Sequence, residues 1–142
     1  ISNYATRGNE CRHNLTYWNS GCFLGVGPGA HGRLNIGSKR YRTETPTSPE
    51  VWIEHIKKYG IEKFLKEPLS NTERAEEYAI MALRLSLGLD INKFQELGGV
   101  RLSTKKLRQL SEDNLVYVCE DRLKTTAKGK LLTDQILREL LC

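Results

Sequence analysis

The 142 residues contain no run near the about 18 to 20 consecutive apolar side chains that a membrane span needs, and no basic, apolar, small-residue opening like that of a secretion signal. The cytoplasm is therefore the expected compartment. Cysteine is also scarce. Cys11, Cys22, Cys119 and Cys142 form no CxxC pair, no CxxCH haem-attachment run and no short framework of the kind that staples small secreted domains. Free, mostly structural thiols are expected. Charge of one sign is only slightly in excess, with 22 Lys and Arg against 17 Asp and Glu. A net charge of +5 permits a polyanionic partner but lacks the density of a dedicated nucleic-acid binder.

What is present is enough apolar composition, 39%, to bury a core as one compact domain or two small lobes. The chain opens on Ile1, and "ISNYA" reads like the end of an apolar strand with no start signal before it, so a piece of a longer protein is expected. Residues 1–47 are rich in Gly, Asn, Ser, Tyr and Arg, which suits loops and strands, and "GRLNIGSKRYRT" fits a hairpin turning near Gly37 and Ser38. From Ser48 the pattern changes. Ser48, Pro49 and Glu50 make a helix start and Gly60 a stop, predicting a helix over 49–59. Ser70 and Glu73 have capping-box spacing ahead of Ala75, Tyr78, Ala79, Met81, Ala82 and Leu85, with Gly88 as the stop. Asp90 can cap a short helix through Leu97 that Gly98 and Gly99 close, and Ser103 or Thr104 can cap another carrying Leu107 and Leu110. "LVYVCEDRLKTT" fits a two-stranded wing, and a last helix over about 127–141 is expected to bury Leu131, Leu132, Ile136, Leu137 and Leu140. The order predicts an α+β chain whose second part is a mainly helical, winged-helix-like lobe.

The residue types that carry chemistry crowd into "ECRHNLTYWNSGCFLGVGPGAHG", residues 10–32. Gly25, Gly27 and Gly29 alternate after an apolar run, so the backbone there can approach an anionic or nucleotide ligand, or form only a tight turn. No helix start follows, and no Lys with Ser or Thr stands at phosphate-loop spacing, which removes the dinucleotide and phosphate-loop readings. His13 and His31, with Cys11 and Cys22, lack the short spacings of a structural zinc site. His13 with Tyr17 and Trp18 offers an imidazole and two flat rings that can take a planar apolar ligand; packing at a core edge is the ordinary alternative. Arg101, Lys105, Lys106 and Arg108 can face a nucleic-acid groove or simply solvent, and no aromatic residues interleave with them.

Taken in order, "ISNYA", "HNLTYW" (an HNxxYW motif over His13 to Trp18), "FLGVGPGAHG" and "LKTTAKGKLLTDQIL" resemble the C-terminal part of the HemW-type radical SAM proteins, which are haem chaperones related to oxygen-independent coproporphyrinogen III oxidases. Thr125 is a departure, standing where an apolar residue is common. The resemblance implies a parent with a partial (β/α) barrel that holds S-adenosylmethionine and a [4Fe-4S] cluster on a CxxxCxxC motif. This chain has no such motif, so alone it is expected neither to hold the cluster nor to cleave S-adenosylmethionine. Residues 1–47 would then close the barrel with strands and loops, Ile1 to Ala5 ending a late strand, and residues 48–142 would be the C-terminal helical domain. The resemblance also implies haem contacts at His13, Asn14, Tyr17 and Trp18, with His13 the candidate iron ligand. Gly27, Gly29, Ala30 and His31 would line the S-adenosylmethionine pocket of an intact parent. The implied partners are haem or porphyrin, haem-accepting proteins and the preceding barrel. Two other readings stand beside the chaperone: a fragment of the oxidase, which decarboxylates two propionates through a radical, and a winged-helix module binding nucleic acid or protein.

Overall fold

A computed structural model describes residues 4–6, 8–60, 64–98 and 101–141. Backbone contacts divide the chain into two units, Ile1–Tyr17 with Gly21–Leu69, and Trp18–Ser20 with Ser70–Cys142. Residues 1–3 of the expected strand end lie outside the described set, and Tyr4 to Thr6 have no regular structure.

The first unit contains helix α1 (Arg12–Trp18, continuing one residue past the unit's edge), strands β1 (His31–Ile36) and β2 (Lys39–Glu44), helix α2 (Pro49–Tyr59) and strand β3 (Leu65–Pro68). β1 and β2 form the expected antiparallel hairpin, with Ile36 opposite Lys39 and Gly37 at positive φ in the turn. β3 adds to the far edge of β2, giving the order β1-β2-β3, with a register irregularity between Tyr41 and Thr43. The apolar run Cys22 to Val26 forms a single bridge, Phe23 to Arg33, in place of a full strand. Ser48 caps α2 through Val51 N, 3.3 Å away, and Gly60 ends it at φ +67°. Ser48 also donates to Glu50, which with the helix backbone holds that carboxyl below its usual range.

One expectation fails here: residues 12–18 are a helix, whereas loop and strand were expected. The stretch from Cys11 to Ser20 holds no Gly or Pro to break a turn, and Thr16 Oγ1 donates back to the Arg12 carbonyl at 3.0 Å. Ser20 at φ +58° stops it, and Gly21 N donates to the Thr16 carbonyl at 2.7 Å.

The second unit runs α3 (Asn71–Ala82), β4 (Leu89–Asp90), α4 (Ile91–Gly98), α5 (Thr104–Glu112), β5 (Val116–Cys119), β6 (Arg122–Thr125), α6 (Ala127–Lys130) and α7 (Thr133–Leu141). Its small antiparallel sheet has the order β4-β6-β5, so β4 pairs with the returning strand of the wing, and the lobe is winged-helix-like in topology. The capping box on α3 is complete, with Ser70 and Glu73 satisfying each other's backbone amides. Ala75, Tyr78, Ala79 and Ala82 face one cluster with Leu89, Phe94, Leu110, Leu123 and Ile136. Asp90 ties four elements together: its amide donates to Tyr78 Oη (3.3 Å), its Oδ1 caps Lys93 N (3.0 Å), and its Oδ2 accepts from Arg122 (3.2 Å). Burial raises the Tyr78 phenol above its usual range, and Lys93 Nζ sits 4.6 Å over its ring.

Two helix boundaries differ from expectation. α3 ends at Ala82 and not near Gly88, because Arg84 N and Leu85 N turn back to carbonyls three residues earlier. The single last helix is two: Leu131 N and Leu132 N likewise bond to Lys128 O and Gly129 O, and α7 restarts at Thr133. That tight turn shifts the helical phase, so Leu131 is 79% exposed and Leu132 also faces out, while Ile136, Leu137 and Leu140 are buried as expected. Gly129 is required at this corner, since a Cβ there would overlap the Leu115 carbonyl oxygen. Thr125 is buried in β6, paired with Val116.

Candidate functional site

The helical state of residues 12–18 decides which candidate side chains meet. Positions four apart share a helix face, so His13 lies beside Tyr17, and Asn14 and Trp18 share an adjacent stripe. The hydroxyl of Tyr17 hydrogen-bonds Nε2 of His13, and the two rings meet edge to face with centroids 4.5 Å apart. Phe23 also packs against Tyr17, with centroids 4.3 Å apart and planes at 81°, so that His13, Tyr17 and Phe23 make a row of ring contacts. His13 is exposed, whereas Asn14, Tyr17 and Trp18 are half-buried.

This row is anchored to the hairpin. Phe23 exchanges both backbone hydrogen bonds with Arg33 at 2.8 Å, and the buried Arg40 donates to the Gly21 carbonyl at 3.1 Å. Gly25 and Gly32 allow this approach, because a Cβ on the first would overlap the His31 carbonyl and one on the second the Thr43 hydroxyl.

The glycine loop that follows is held from within. Thr45 Oγ1 donates to the Gly27 carbonyl (2.6 Å) and accepts from Ala30 N (2.8 Å), and Gly29 N donates to the Pro46 carbonyl (2.8 Å). Gly27 and Gly29 have φ of +105° and +68°, so the alternating glycines do make a tight turn. The amides of Gly29 and Ala30 are consumed inside it, which leaves carbonyls and glycine Cα surface, not those N–H groups, to face a ligand. His31 opens β1, exposed and opposite Glu44.

Beside the loop lies an apolar cleft lined by Leu24, Val26, Gly27, Thr43, Trp52 and Ile56. Thr43 is 5% exposed and its Oγ1 has no hydrogen-bond partner, as is true of Nδ1 of His55, whose ring stacks on Phe64 at 5.8 Å. Neither residue was singled out from sequence. The available signal was the 52, 55, 56, 59 spacing, which puts Trp52, His55, Ile56 and Tyr59 on one stripe of α2.

The donor set fits a haem better than a metal cluster. An exposed imidazole beside Tyr17 and Phe23 offers one nitrogen for iron and flat apolar surface for a macrocycle. Among the described residues no group of three or more His, Cys, Asp or Glu could hold a metal ion, and Cys11, Cys22 and Cys119 are separate exposed thiols. These residues do not fit a [4Fe-4S] cluster. The cleft with its unpartnered Thr43 hydroxyl is compatible with part of an S-adenosylmethionine. In the lobe, Arg101, Lys105 and Arg108 are exposed on or before α5, but Arg108 is paired with Glu112 at 3.2 Å. Among the described residues no helix is long and apolar enough to cross a membrane.

Comparison with known proteins bears on this arrangement. Residues 69–132 match the model of the HemN C-terminal domain. The relatives matched over nearly the whole chain are named as HemW heme chaperones and as a radical S-adenosyl methionine domain-containing protein. It is 32% identical over 144 residues to the "Heme chaperone HemW" of Bacillus subtilis, covering 99% of this chain and 37% of that protein. It is 31% identical over 151 residues to the "Radical S-adenosyl methionine domain-containing protein 1, mitochondrial" of Bos taurus, covering 99% and 34%. The chain thus spans about a third of the length of these relatives. In fold it resembles the coproporphyrinogen III oxidase HemN of Escherichia coli, with a TM-score of 0.58 at 22% identity, over 84% of this chain and 28% of that one.

Proposed function

We propose that this chain is the C-terminal part of a HemW-like protein that binds haem on the α1 face and passes it to haem-accepting proteins in the cytoplasm. The observation that carries this reading is the row His13, Tyr17, Phe23: an exposed imidazole backed by two rings that are anchored to the hairpin. The Bacillus subtilis relative is named a heme chaperone, which supports this reading over the oxidase, and so does the HNxxYW motif.

When bound, haem would supply an iron that takes a nitrogen donor. His13 would offer that nitrogen, Tyr17 and Trp18 would lie against the macrocycle, and Asn14 would offer an amide to a polar edge. Residues 1–47 would close the barrel of a longer parent, and residues 48–142 would be its C-terminal helical domain. Exposed apolar side chains in the first unit, among them Tyr4, Leu24 and Val26 (80% exposed), support a further surface packed against it. In that parent Gly27, Gly29, Ala30 and His31 would line the S-adenosylmethionine pocket, with the cluster held by the barrel.

A haemin titration followed at the Soret band, repeated at rising salt, tests the reading. Saturable binding that persists at high salt is expected, because ligation and apolar contact do not release counterions. Loss of binding that steepens with salt would point to polyelectrolyte contacts instead. Transfer of the bound haemin to an apo haem protein, seen as that protein's own spectrum, is the expected sign of delivery.

A further inference from the structure

Resting on the haem reading, we propose that Tyr17 is a gate on His13: its phenol competes with iron for Nε2 and so sets how firmly haem is held. A neutral imidazole has one nitrogen lone pair, and in this structure Nε2 faces the Tyr17 hydroxyl. With the phenol donating, the ring proton sits on Nδ1, which is the tautomer that ligation through Nε2 requires. Opening is then a simple exchange. The O–H···N bond breaks, the phenol keeps its proton and turns to solvent, and the Nε2 lone pair is left free for iron. No oxidant, base or second reactant is needed.

Three observations make this a held position and not a chance contact. The i, i+4 spacing on α1 brings the two rings together whenever the helix forms. Phe23 packs edge to face with Tyr17 at 4.3 Å, limiting its swing. Phe23 is itself held by the paired bonds to Arg33 and begins the glycine loop, so the gate is set by the hairpin rather than by α1 alone. A carrier that must surrender its cargo gains from such an arrangement, because the phenol recaptures Nε2 as iron leaves and disfavours rebinding.

The test is a Tyr17→Phe substitution, which keeps the ring and removes the hydroxyl, with Phe23→Leu as a second variant that loosens the ring. Tyr17→Phe is expected to bind haemin about three- to tenfold more tightly, the net worth of one neutral hydrogen bond, with the Soret and visible bands of the same axial ligand. Phe23→Leu is expected to move affinity in the same direction by less. On the haem-free chain, carbethoxylation by diethyl pyrocarbonate, mapped by mass spectrometry, is expected to speed up at His13 in Tyr17→Phe while the exposed His31 reacts unchanged. Weaker haemin binding in Tyr17→Phe, or loss of a phenolate-to-iron band present in the parent chain, would make Tyr17 the ligand and overturn the gate. Unchanged affinity, or an unchanged His13 reaction rate, would overturn it equally. Absence of haemin binding in every variant would instead overturn the haem reading, and the His13 reaction rate would still decide whether the phenol closes Nε2.

Discussion

Among the described residues, fifteen buried side chains of the second unit, from Ala75 to Leu140, form one apolar cluster, whereas those of the first are Phe64 with Arg40, Thr43 and Thr45. The lobe is therefore held by area removed from water, and its polar bonds, such as those around Asp90, fix register on top of that. The hairpin unit is held mainly by bonds: Thr45 across the glycine loop, Arg40 to Gly21, and Phe23 to Arg33. Bonded loops leave side chains and glycines at the surface, which is where a ligand can reach them. The ring contacts of His13, Tyr17 and Phe23 accordingly lie on the unit with fewer buried side chains among the described residues.

Substituting Phe94, 1% exposed at the centre of the lobe cluster, should give the largest effect. Phe94→Ala is expected to cost about 3–5 kcal/mol, from lost burial and the cavity left behind. Hydrogen exchange should show α3 and α7 losing protection while the β1 and β2 amides keep theirs; an equal loss in both would mean that the units unfold together.

Thr45→Val tests the other half. It leaves the Ala30 amide and the Gly27 carbonyl without their partner, an expected loss of about 1–3 kcal/mol confined to the loop. The Ala30 amide should then exchange faster with the lobe unaffected, and unchanged exchange there would show that the loop is held some other way.

The smallest effect concerns pH. Burial raises the Tyr78 phenol, so its protonated form is favoured in the folded lobe. That contribution is complete below the ordinary tyrosine range near pH ~10 and disappears as pH climbs through the raised value. Tyr78→Phe should cost about 1 kcal/mol at neutral pH through the lost bond to Asp90 N and flatten the alkaline fall in stability. An alkaline limb as steep as the parent's would assign it to other groups.

Most helix starts were legible in the sequence because their signals are local. Ser48, Ser70 with Glu73, Asp90 and Ser103 announce helix starts, and each caps as its spacing predicts. The turn at Gly37 was legible for the same reason. What was not legible depends on contacts distant in sequence: β3 forms by adding to β2, and the two-residue β4 by pairing with β6. The break at Leu131 and Leu132 lacks Pro and is made by backbone bonds that no side chain marks, while its Gly129 answers a clash with Leu115. Within the candidate site the residue types and the tight turn were readable. The pairing of His13 with Tyr17 was not, because it follows from a helix in a stretch whose neighbours look like loop and strand. Thr43 and His55 were hidden for a further reason: a buried polar atom without a hydrogen-bond partner, Oγ1 of one and Nδ1 of the other, is a property of the packed unit and not of any motif.

The central claim is that His13 on α1 takes the haem iron, and the most direct measurement is a haemin titration of the chain against His13→Ala, read at the Soret band. His13→Ala should weaken binding by more than about tenfold, the least expected where even an outer partner of a metal ligand costs that much, and should shift the band. The same affinity and the same spectrum in both proteins would contradict it.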